Sequence, residues 1–220
     1  LIYDNVEFKN LGLAIIDEQH KFGVAQRSKL WHKNKLPPHI LIMTATPIPR
    51  TLAMSVYGDL DMSVIDELPP GRKYINTIHQ THNQRLKLID FLKNEIKKGR
   101  QAYVVYPLIK DLMDGYESFS RDFPMPKYQI SIVHGKMNNE DKEYEMQRFI
   151  ENKTQILVST TVIEVGVDIP NATVMIIESA ERFGLSQLHQ LRGRVGRGQH
   201  KSYCFLITGH KKTKESKIRM

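Results

Sequence analysis

The sequence predicts an α/β fold with doubly wound parallel sheets, and two observations lead to that prediction. Eight short runs of apolar, often β-branched residues recur along the chain without strict alternation of polar residues, which is typical of strands buried on both faces of a sheet. Longer stretches between several of these runs repeat apolar residues at helical spacing. Strands that alternate with helices form doubly wound sheets, whose ligands bind at the carboxyl ends of the strands.

The predicted strands divide into two before and six after a proline-rich segment. They are LAIID (13–17), HILIMT (39–44), YINTIH (74–79), AYVVYP (102–107), QISIVH (129–134), QILVST (155–160), VMIIES (174–179) and YCFLIT (203–208).

Three stretches predict helices. Residues 83–99 begin with Asn83 as the N-terminal cap and end at Gly99, and 139–153 repeat that design. A third, short helix opens GLSQLHQLRGRVGRG (184–198) and is broken by its glycines, the first of which is Gly193. The apolar residues assigned to their inner faces are Leu86, Ile89, Leu92 and Ile96 in the first, Tyr144, Met146, Phe149 and Ile150 in the second, and Leu185, Leu188 and Leu191 in the third.

The segment DELPPGRK (66–73) predicts a domain boundary, because two prolines and a glycine end any regular element. We expect residues 1–68 to be the C-terminal part of a first, truncated α/β domain, since they hold only two strands. Residues 69–73 form the predicted linker, and 74–220 form a nearly complete second domain.

The amino-acid composition favours an intracellular protein that binds nucleic acid. The net charge of +8 and the isoelectric point near 9.4 favour a polyanion, with nucleic acid ahead of a membrane. The single cysteine, Cys204, excludes an intramolecular disulfide and is typical of a reducing compartment such as the cytoplasm. No stretch approaches the roughly 20 apolar residues of a membrane span, so we expect no membrane partner.

Two adjacent carboxylates end the first predicted strand. At that place Asp17 could hold a magnesium ion, and Glu18 could polarise an attacking water. Taken alone, these residues are explained more simply as an exposed strand end. After the next strand, Thr44 and Thr46 offer hydroxyl groups beside two prolines that stiffen the turn, which would suit a segment that senses a nucleotide, or a capped loop.

A third polar segment, VSTTVIEVGVDIPNA (158–172), follows the strand at 155–160. Its small and hydroxylated residues, Thr160 among them, would let a sugar-phosphate backbone approach closely. Asp168 lies two residues beyond Gly166 and could bond ribose hydroxyls. The alternative is a corner between two strands in which Asp168 caps a turn.

The stretch HQLRGRVGRG combines three arginines with three glycines. Arg194 and Arg197 are three residues apart, so they share a helix face or a turn and could converge on one anion. Guanidinium groups match phosphate oxygens in a bidentate manner. Taken alone, the stretch is equally compatible with a basic loop that binds a nucleic-acid backbone.

Four motifs in this order resemble motifs II, III, V and VI of superfamily 2 helicases: DEQH (17–20), TATPIPRTL (44–52), STTVIEVGVDIPNA (159–172) and QLRGRVGRG (190–198). Within that superfamily, DEQHKFGV (17–24), HGKMNNEDKE (134–143) and AERFGLSQLHQLRGRVGRG (180–198) are similar to the RecG family of bacterial ATP-dependent helicases, which act on branched DNA. The resemblance implies RecA-like sheets, with motifs II and III in the first domain and motifs IV to VI in the second.

The resemblance also implies a role for each motif residue. Asp17 would hold Mg²⁺, and Glu18 would orient the hydrolytic water. Thr44 and Thr46 would couple the nucleotide site to DNA. The residues implied to bind ATP are Gly166, Asp168 and Gln190, with Arg194 and Arg197 as arginine fingers, and those implied to line a single-strand track are His134, Gly135 and Thr160.

ATP and Mg²⁺ are thus the implied cofactors, and branched and single-stranded DNA the implied partners of a monomeric full-length protein. The roles implied are fork regression and Holliday junction migration in DNA repair and recombination. The family of transcription-repair coupling factors is the closest alternative, and a non-catalytic nucleic-acid-binding module is another. The sequence contains no G-x-x-x-x-G-K-[ST] loop for phosphates, and the family's wedge domain would lie upstream, so we expect this chain alone to be inactive.

Overall fold

A computed structural model describes residues 6–18, 38–44, 61–67, 72–161 and 168–209. The chain divides into two compact units, Leu1–Ser63 and Val64–Met220. Residues 68–71 of the predicted linker region lie outside the described residues, and the assignment of the two units to helicase domains remains a prediction.

The described part of the first unit contains two parallel strands, β1 (Leu13–Asp17) and β2 (His39–Met43). Both predicted strands are therefore confirmed, and β2 ends one residue earlier than expected. The strands pair in register from Leu13 opposite His39 to Asp17 opposite Met43. Because parallel strands end at the same edge, the residues that follow β1 and β2 lie side by side.

The second unit continues with six strands and four helices in its described residues. They are β3 (Ile75–Thr81), α1 (Arg85–Lys97), β4 (Gln101–Val105), α2 (Ile109–Asp122), β5 (Ile130–Val133), α3 (Asn139–Ile150), β6 (Ile156–Ser159), β7 (Ala172–Ile177), α4 (Leu185–Arg192) and β8 (Ser202–Thr208), with 3-10 turns at His82–Gln84 and Ala180–Arg182.

The six strands form one parallel sheet in the order β3-β8-β7-β4-β6-β5. Its central strands are buried on both faces. In β4, Ala102 and Val104 join a core cluster with α1 and α2, whereas Tyr103 and Val105 join the opposite cluster with Phe149 of α3. The apolar runs do not alternate with polar residues because helices cover the sheet on both sides, as the sequence predicted.

Helix α1 differs from its prediction at the N-terminus. Asn83 lies inside the 3-10 turn His82–Gln84, so the proposed cap is wrong, and Gln84 precedes the helix without a side-chain capping bond. Leu86 is 80% exposed and does not belong to the inner face, which Leu88 joins instead. Gly99, with a φ of +78°, ends the segment in the left-handed conformation expected of a C-terminal glycine.

Helix α3 is capped by Asn138, whose side chain accepts a hydrogen bond of 2.7 Å from the Asp141 backbone N–H. Of its predicted inner residues Phe149 is fully buried, but Tyr144 and Ile150 are 64% and 40% exposed. These two predictions are wrong, because α3 covers the sheet with a narrower face than the sequence pattern suggested.

Helix α2 was not predicted. Its sequence, IKDLMDGYESFSRD, carries a glycine at its centre that weakens the helical pattern. That glycine, Gly115, lies against the ring of Tyr106, and a Cβ atom there would overlap the ring. The helix therefore needs glycine to approach the sheet. Over the part of the chain that the structure describes, no helix is long and apolar enough to cross a membrane.

Candidate nucleotide and nucleic-acid sites

The arginine-rich stretch is attached to the core by apolar residues on both sides of its charges. Leu188 and Leu191 of α4 are buried, and Val195 is fully buried in the same cluster. The predicted third helix is confirmed, although Leu185 is 52% exposed and does not contribute to its inner face. Residues 193–198, which follow α4, are called the arginine turn below. The buried residues Leu188, Leu191 and Val195 hold the backbone of this segment, so that its arginines can present their charges in a defined place.

Two of the three glycines in the arginine turn have a steric reason. Gly196 has a φ of +77°, and a Cβ atom there would lie 2.8 Å from Cγ1 of Ile75. A Cβ atom at Gly198 would lie 2.5 Å from the carbonyl oxygen of Pro170. Gly193 has an ordinary helical φ of −67° and a less crowded environment. The turn thus packs tightly against the start of β3 and against the segment before β7.

The guanidinium group of Arg197 has two partners. Its Nε donates a hydrogen bond of 3.2 Å to the carbonyl oxygen of Gly193. Its Nη1 lies 3.8 Å from Oδ1 of Asp168, and the side chains of Arg197 and Asp168 are 30% and 57% exposed. The structure therefore brings together two residues that the sequence analysis placed in separate motifs.

Tyr103 is buried close enough to this charged group for the charges to act on its pKa, and it was not predicted as part of any site. It is 1% exposed on β4, in the same core cluster as Leu191, Val195 and Ile169, and its ring packs 5.1 Å from that of Phe149. Burial raises the pKa of Tyr103 to about 12, the positive charges of Arg194 and Arg197 oppose that rise, and Asp168 adds to it. The charges of all three residues therefore act on the Tyr103 hydroxyl. Nothing in the run AYVVYP distinguishes it from a core residue.

The arginine turn and Asp168 lie at the amino ends of the strands. Asp168 precedes β7, the turn precedes β8, and Gly196 packs on Ile75, the first residue of β3. This edge is opposite to the one at which the sequence predicted that ligands bind. The group lies there because Asp168 and the arginine turn belong to the connections that lead into β7 and β8.

Gln190 lies half-buried on α4, and Arg194 is half-buried in the turn. Arg192, the remaining arginine of the stretch, has its Nη2 3.2 Å from Nδ1 of His189 on the same helix. Burial, and then the charge of Arg192, lowers the pKa of His189. Arg192 therefore has an intrahelical partner. Gly166 and Thr46 lie outside the described residues.

The residues predicted to contact DNA lie at the opposite, carboxyl edge of the sheet. His134 and Gly135 follow β5, and Thr160 follows β6, where its backbone N–H donates a bond of 3.2 Å to the Val133 carbonyl. Thr160 is only 6% exposed, so its side chain offers less surface than the prediction assumed, while Thr161 is half-buried. The structure brings His134, Gly135 and Thr160 together.

A buried carboxylate, Glu178, lies at the same edge directly after β7. It is 5% exposed, with Oε2 3.9 Å from Nδ1 of His82. Burial raises the pKa of Glu178, and the neighbouring His82 and Arg85 act against that rise. Glu178 falls within the predicted strand VMIIES (174–179), and its sequence context predicts no role for it.

In the first unit, Asp17, Glu18 and Thr44 lie at the carboxyl edge formed by β1 and β2. The Glu18 N–H donates to the Met43 carbonyl at 3.0 Å and to Oδ1 of Asp17 at 2.8 Å, and Glu18 has a φ of +49°. A positive φ is uncommon in a non-glycine residue. Asp17 is exposed. An exposed carboxylate fits Mg²⁺, which takes oxygen ligands and commonly binds through one or two carboxylates, water and phosphate. Within the described ranges, no group of three or more metal-ligating side chains occurs.

Comparisons with known proteins support the resemblance to RecG helicases that the motifs predict. The chain is 52% identical over 218 residues to the ATP-dependent DNA helicase RecG of a Synechocystis species, covering 96% of this chain and 26% of that protein. Against RecG of Bacillus subtilis it is 52% identical over 219 residues, covering 96% and 32%, and against RecG of Thermotoga maritima 50% identical over 217 residues, covering 95% and 28%. The chain thus spans roughly a quarter to a third of the length of these relatives, and the predicted RecG resemblance is confirmed.

Solved structures lead to the same fold. A structure of RecG bound to a three-way DNA junction matches with a TM-score of 0.75 and 47% identity, covering all of this chain and 28% of that one. The helicase Lhr of Mycobacterium smegmatis, bound to single-stranded DNA and AMP-PNP, matches with a TM-score of 0.63 at 16% identity, covering 90% and 28%. A DEAD box protein from Methanococcus jannaschii matches with a TM-score of 0.54 at 22% identity, covering 97% and 57%. At these lower identities the matches show the fold alone, and the RecA-like fold predicted for the chain is confirmed.

A family model completes the comparison. The helicase conserved C-terminal domain matches residues 83–199, from the start of the first helical segment of the second unit to the end of the arginine turn. Because this match covers more than half of the sequence, the chain belongs to the family of helicase conserved C-terminal domains.

Proposed function

We propose that the chain is part of an ATP-dependent DNA helicase or translocase that acts on branched DNA. The observation that carries this proposal is the arginine turn, which holds Arg194 and Arg197 on a buried framework with Asp168 beside them. Identity of about 50% to RecG proteins over nearly the whole chain supports it. We further propose the roles of such an enzyme in fork regression and junction migration during DNA repair and recombination.

In this proposal Arg194 and Arg197 stabilise the charge that develops on the transferred phosphate of ATP, with Gln190 close by. An arginine in this role is worth a factor of about 10³ to 10⁵ in rate. Gly166 and Asp168 complete the part of the nucleotide site that the second unit supplies. The tight packing of Gly196 and Gly198 supports the assignment, because electrostatic catalysis depends on donors held in place before the reaction.

In the first unit, Asp17 would hold Mg²⁺ and Glu18 would orient the attacking water. The magnesium ion, when bound, neutralises negative charge on the phosphates. The hydrogen bond of 2.8 Å from the Glu18 N–H to Oδ1 of Asp17 holds one of the two carboxylate oxygens in place. Thr44 and Thr46 would couple this site to DNA.

The carboxyl edge of β5 and β6 is the proposed track for a single DNA strand, with His134, Gly135 and Thr160 as its lining. Backbone contacts of this kind give sequence-independent binding that weakens with salt. The positive net charge supports a polyanionic partner. We also propose that the whole protein is monomeric and works in the cytoplasm.

Replacement of Arg197 by alanine in the intact protein tests this function. DNA-stimulated ATP turnover should fall by a factor of about 10³ or more, while affinity for a three-way junction changes little. Phosphate release and junction binding are measured on the same preparation. Loss of junction binding with normal turnover would contradict the assignment, and survival of nucleotide binding after removal of both Asp17 and Glu18 carboxylates would favour a non-catalytic binding module.

The 220-residue chain itself, which contains no phosphate-binding glycine loop, should neither hydrolyse ATP appreciably nor unwind DNA.

A further inference from the structure

One amide side chain ties the segment that carries Asp168 to a distant turn of the chain. Asn171 lies directly before β7, and its side chain bonds to Gly99, 72 residues earlier, in the turn between α1 and β4. We infer that Asn171 is a positioning residue of the nucleotide site, which holds the segment 168–171, and the arginine turn packed on it, where hydrolysis requires them. This inference rests on the proposed nucleotide site and adds a residue that acts without touching the nucleotide.

The Asn171 amide uses both of its ends. Its Nδ2 donates a hydrogen bond of 2.7 Å to the Gly99 carbonyl oxygen and one of 3.3 Å to Oε1 of Gln101. Its Oδ1 accepts a bond of 3.3 Å from Nη1 of Arg100, and the Asn171 carbonyl accepts one of 3.1 Å from the Gln101 backbone N–H. Four bonds thus join one residue to three consecutive residues of the turn, which needs a short side chain with a donor and an acceptor.

The turn that receives these bonds is held in place by bonds of its own. Gly99 has a φ of +78° and ends the helical segment of α1. Gln101 is 1% exposed, and its Nε2 donates to the carbonyl oxygens of Phe149 at 2.6 Å and Thr154 at 2.8 Å. The buried Gln101 amide cannot rotate without losing these bonds, so the turn is a fixed support for Asn171.

On its other side, Asn171 is connected within three residues to the charged groups of the site. The carbonyl oxygen of Pro170 lies where a Cβ atom at Gly198 would be only 2.5 Å away, so the arginine turn packs directly on this segment. Oδ1 of Asp168 lies 3.8 Å from Nη1 of Arg197. A shift of Asn171 would therefore move both the support of the arginine turn and the carboxylate beside it.

Small shifts of this segment matter more for catalysis than for folding. Without its side chain, residue 171 keeps the backbone bond from Gln101, and Ile169 stays buried in the core cluster that contains Val195. The segment would thus remain folded but could move. Catalysis by charged groups requires that they be held in place before the reaction, and a misplacement of about 1 Å can cost about 10²-fold in rate.

The test replaces Asn171 by alanine in the intact protein. The DNA-stimulated kcat should fall about tenfold, while KM for ATP changes by less than about threefold, because arginines that act in the transition state are displaced. The stoichiometry of binding to a three-way junction gives the folded fraction, by which kcat is corrected, and the junction affinity should not change.

Gln155→Ala is the matched control. Gln155 is also half-buried and directly precedes a strand, β6, and its Oε1 accepts a bond of 2.9 Å from the Gln129 N–H. This variant should lower the midpoint of urea denaturation, as Asn171→Ala does, but leave turnover unchanged. Asn171→Asp, which keeps the size of the side chain and loses both donated bonds, should resemble Asn171→Ala and provides the test if the alanine variant does not fold.

A double-mutant cycle separates positioning from destabilisation. Asn171→Ala should lower kcat much less in an Arg197→Lys background than alone, since both changes act through the arginine turn. Equal factors in the two backgrounds, unchanged kcat in both Asn171 variants, or a comparable loss of turnover in Gln155→Ala would overturn the inference. Normal turnover in Arg197→Ala would instead overturn the proposed function itself.

Discussion

The arginine turn depends on a residue that can adopt a left-handed backbone, and Gly196→Ala tests this directly. Gly196 has a φ of +77°, and a Cβ atom there would lie 2.8 Å from Cγ1 and 3.1 Å from Cδ1 of Ile75. Gly193 in the same turn provides the control. It has a φ of −67°, and its closest new contacts are carbonyl oxygens at 3.4 Å.

The magnitude follows from two terms. A left-handed conformation costs an alanine about 1–2 kcal/mol, and displacement of the Ile75 side chain adds about 1–2 kcal/mol by analogy with overpacked cores. We therefore expect Gly196→Ala to lower the free energy of unfolding by about 2–4 kcal/mol. Gly193→Ala should be neutral or stabilise by up to about 1 kcal/mol, because alanine restricts the unfolded chain.

Urea denaturation of the 220-residue chain, followed by far-ultraviolet circular dichroism, measures the difference. With a denaturant slope of about 2 kcal/mol per molar urea, the midpoint for Gly196→Ala should lie about 1–2.5 M below that for Gly193→Ala. Equal midpoints for the two variants would refute both the conformational argument and the contact with Ile75.

Two other predictions concern stability. Leu92→Ala should lower the free energy of unfolding by about 2–5 kcal/mol, because this side chain is fully buried. Leu86→Ala on the same helix should lower it by less than about 0.5 kcal/mol, because Leu86 is 80% exposed. Equal losses in urea denaturation would contradict the assigned inner face of α1. Tyr103, whose pKa burial raises from 10.0 to about 12, stabilises the fold fully below pH 10 and loses that contribution as the pH rises toward 12, by about 1.4 kcal/mol at pH 11. Tyr103→Phe should therefore lose less stability than wild type between pH 9 and pH 11, and identical losses would show that this tyrosine ionises as freely in the folded protein as in the unfolded one.

Sequence patterns predicted the strands well and the helix surfaces less well. Strands such as β4 and β7 form from continuous apolar runs. Because both of their faces are buried, the sequence does not have to show which side faces the core. Helix faces depend on the angle at which a helix meets the sheet, which is why Leu86 and Tyr144 are exposed although they continue an apolar stripe. Helix α2 escaped prediction because Gly115 is required by the ring of Tyr106, a contact that only the folded chain contains.

The sequence by itself determined the α/β class, the order of the strands along the chain and the resemblance to RecG helicases, because apolar periodicity and motif order are local properties. The tertiary structure decided which motif residues meet. Asp168 lies beside Arg197 at the amino ends of the strands, and the charges of both act on the buried Tyr103. Residues far apart in sequence were brought together by backbone packing of Gly196 on Ile75 and Gly198 on Pro170, and no spacing along the chain encodes such contacts.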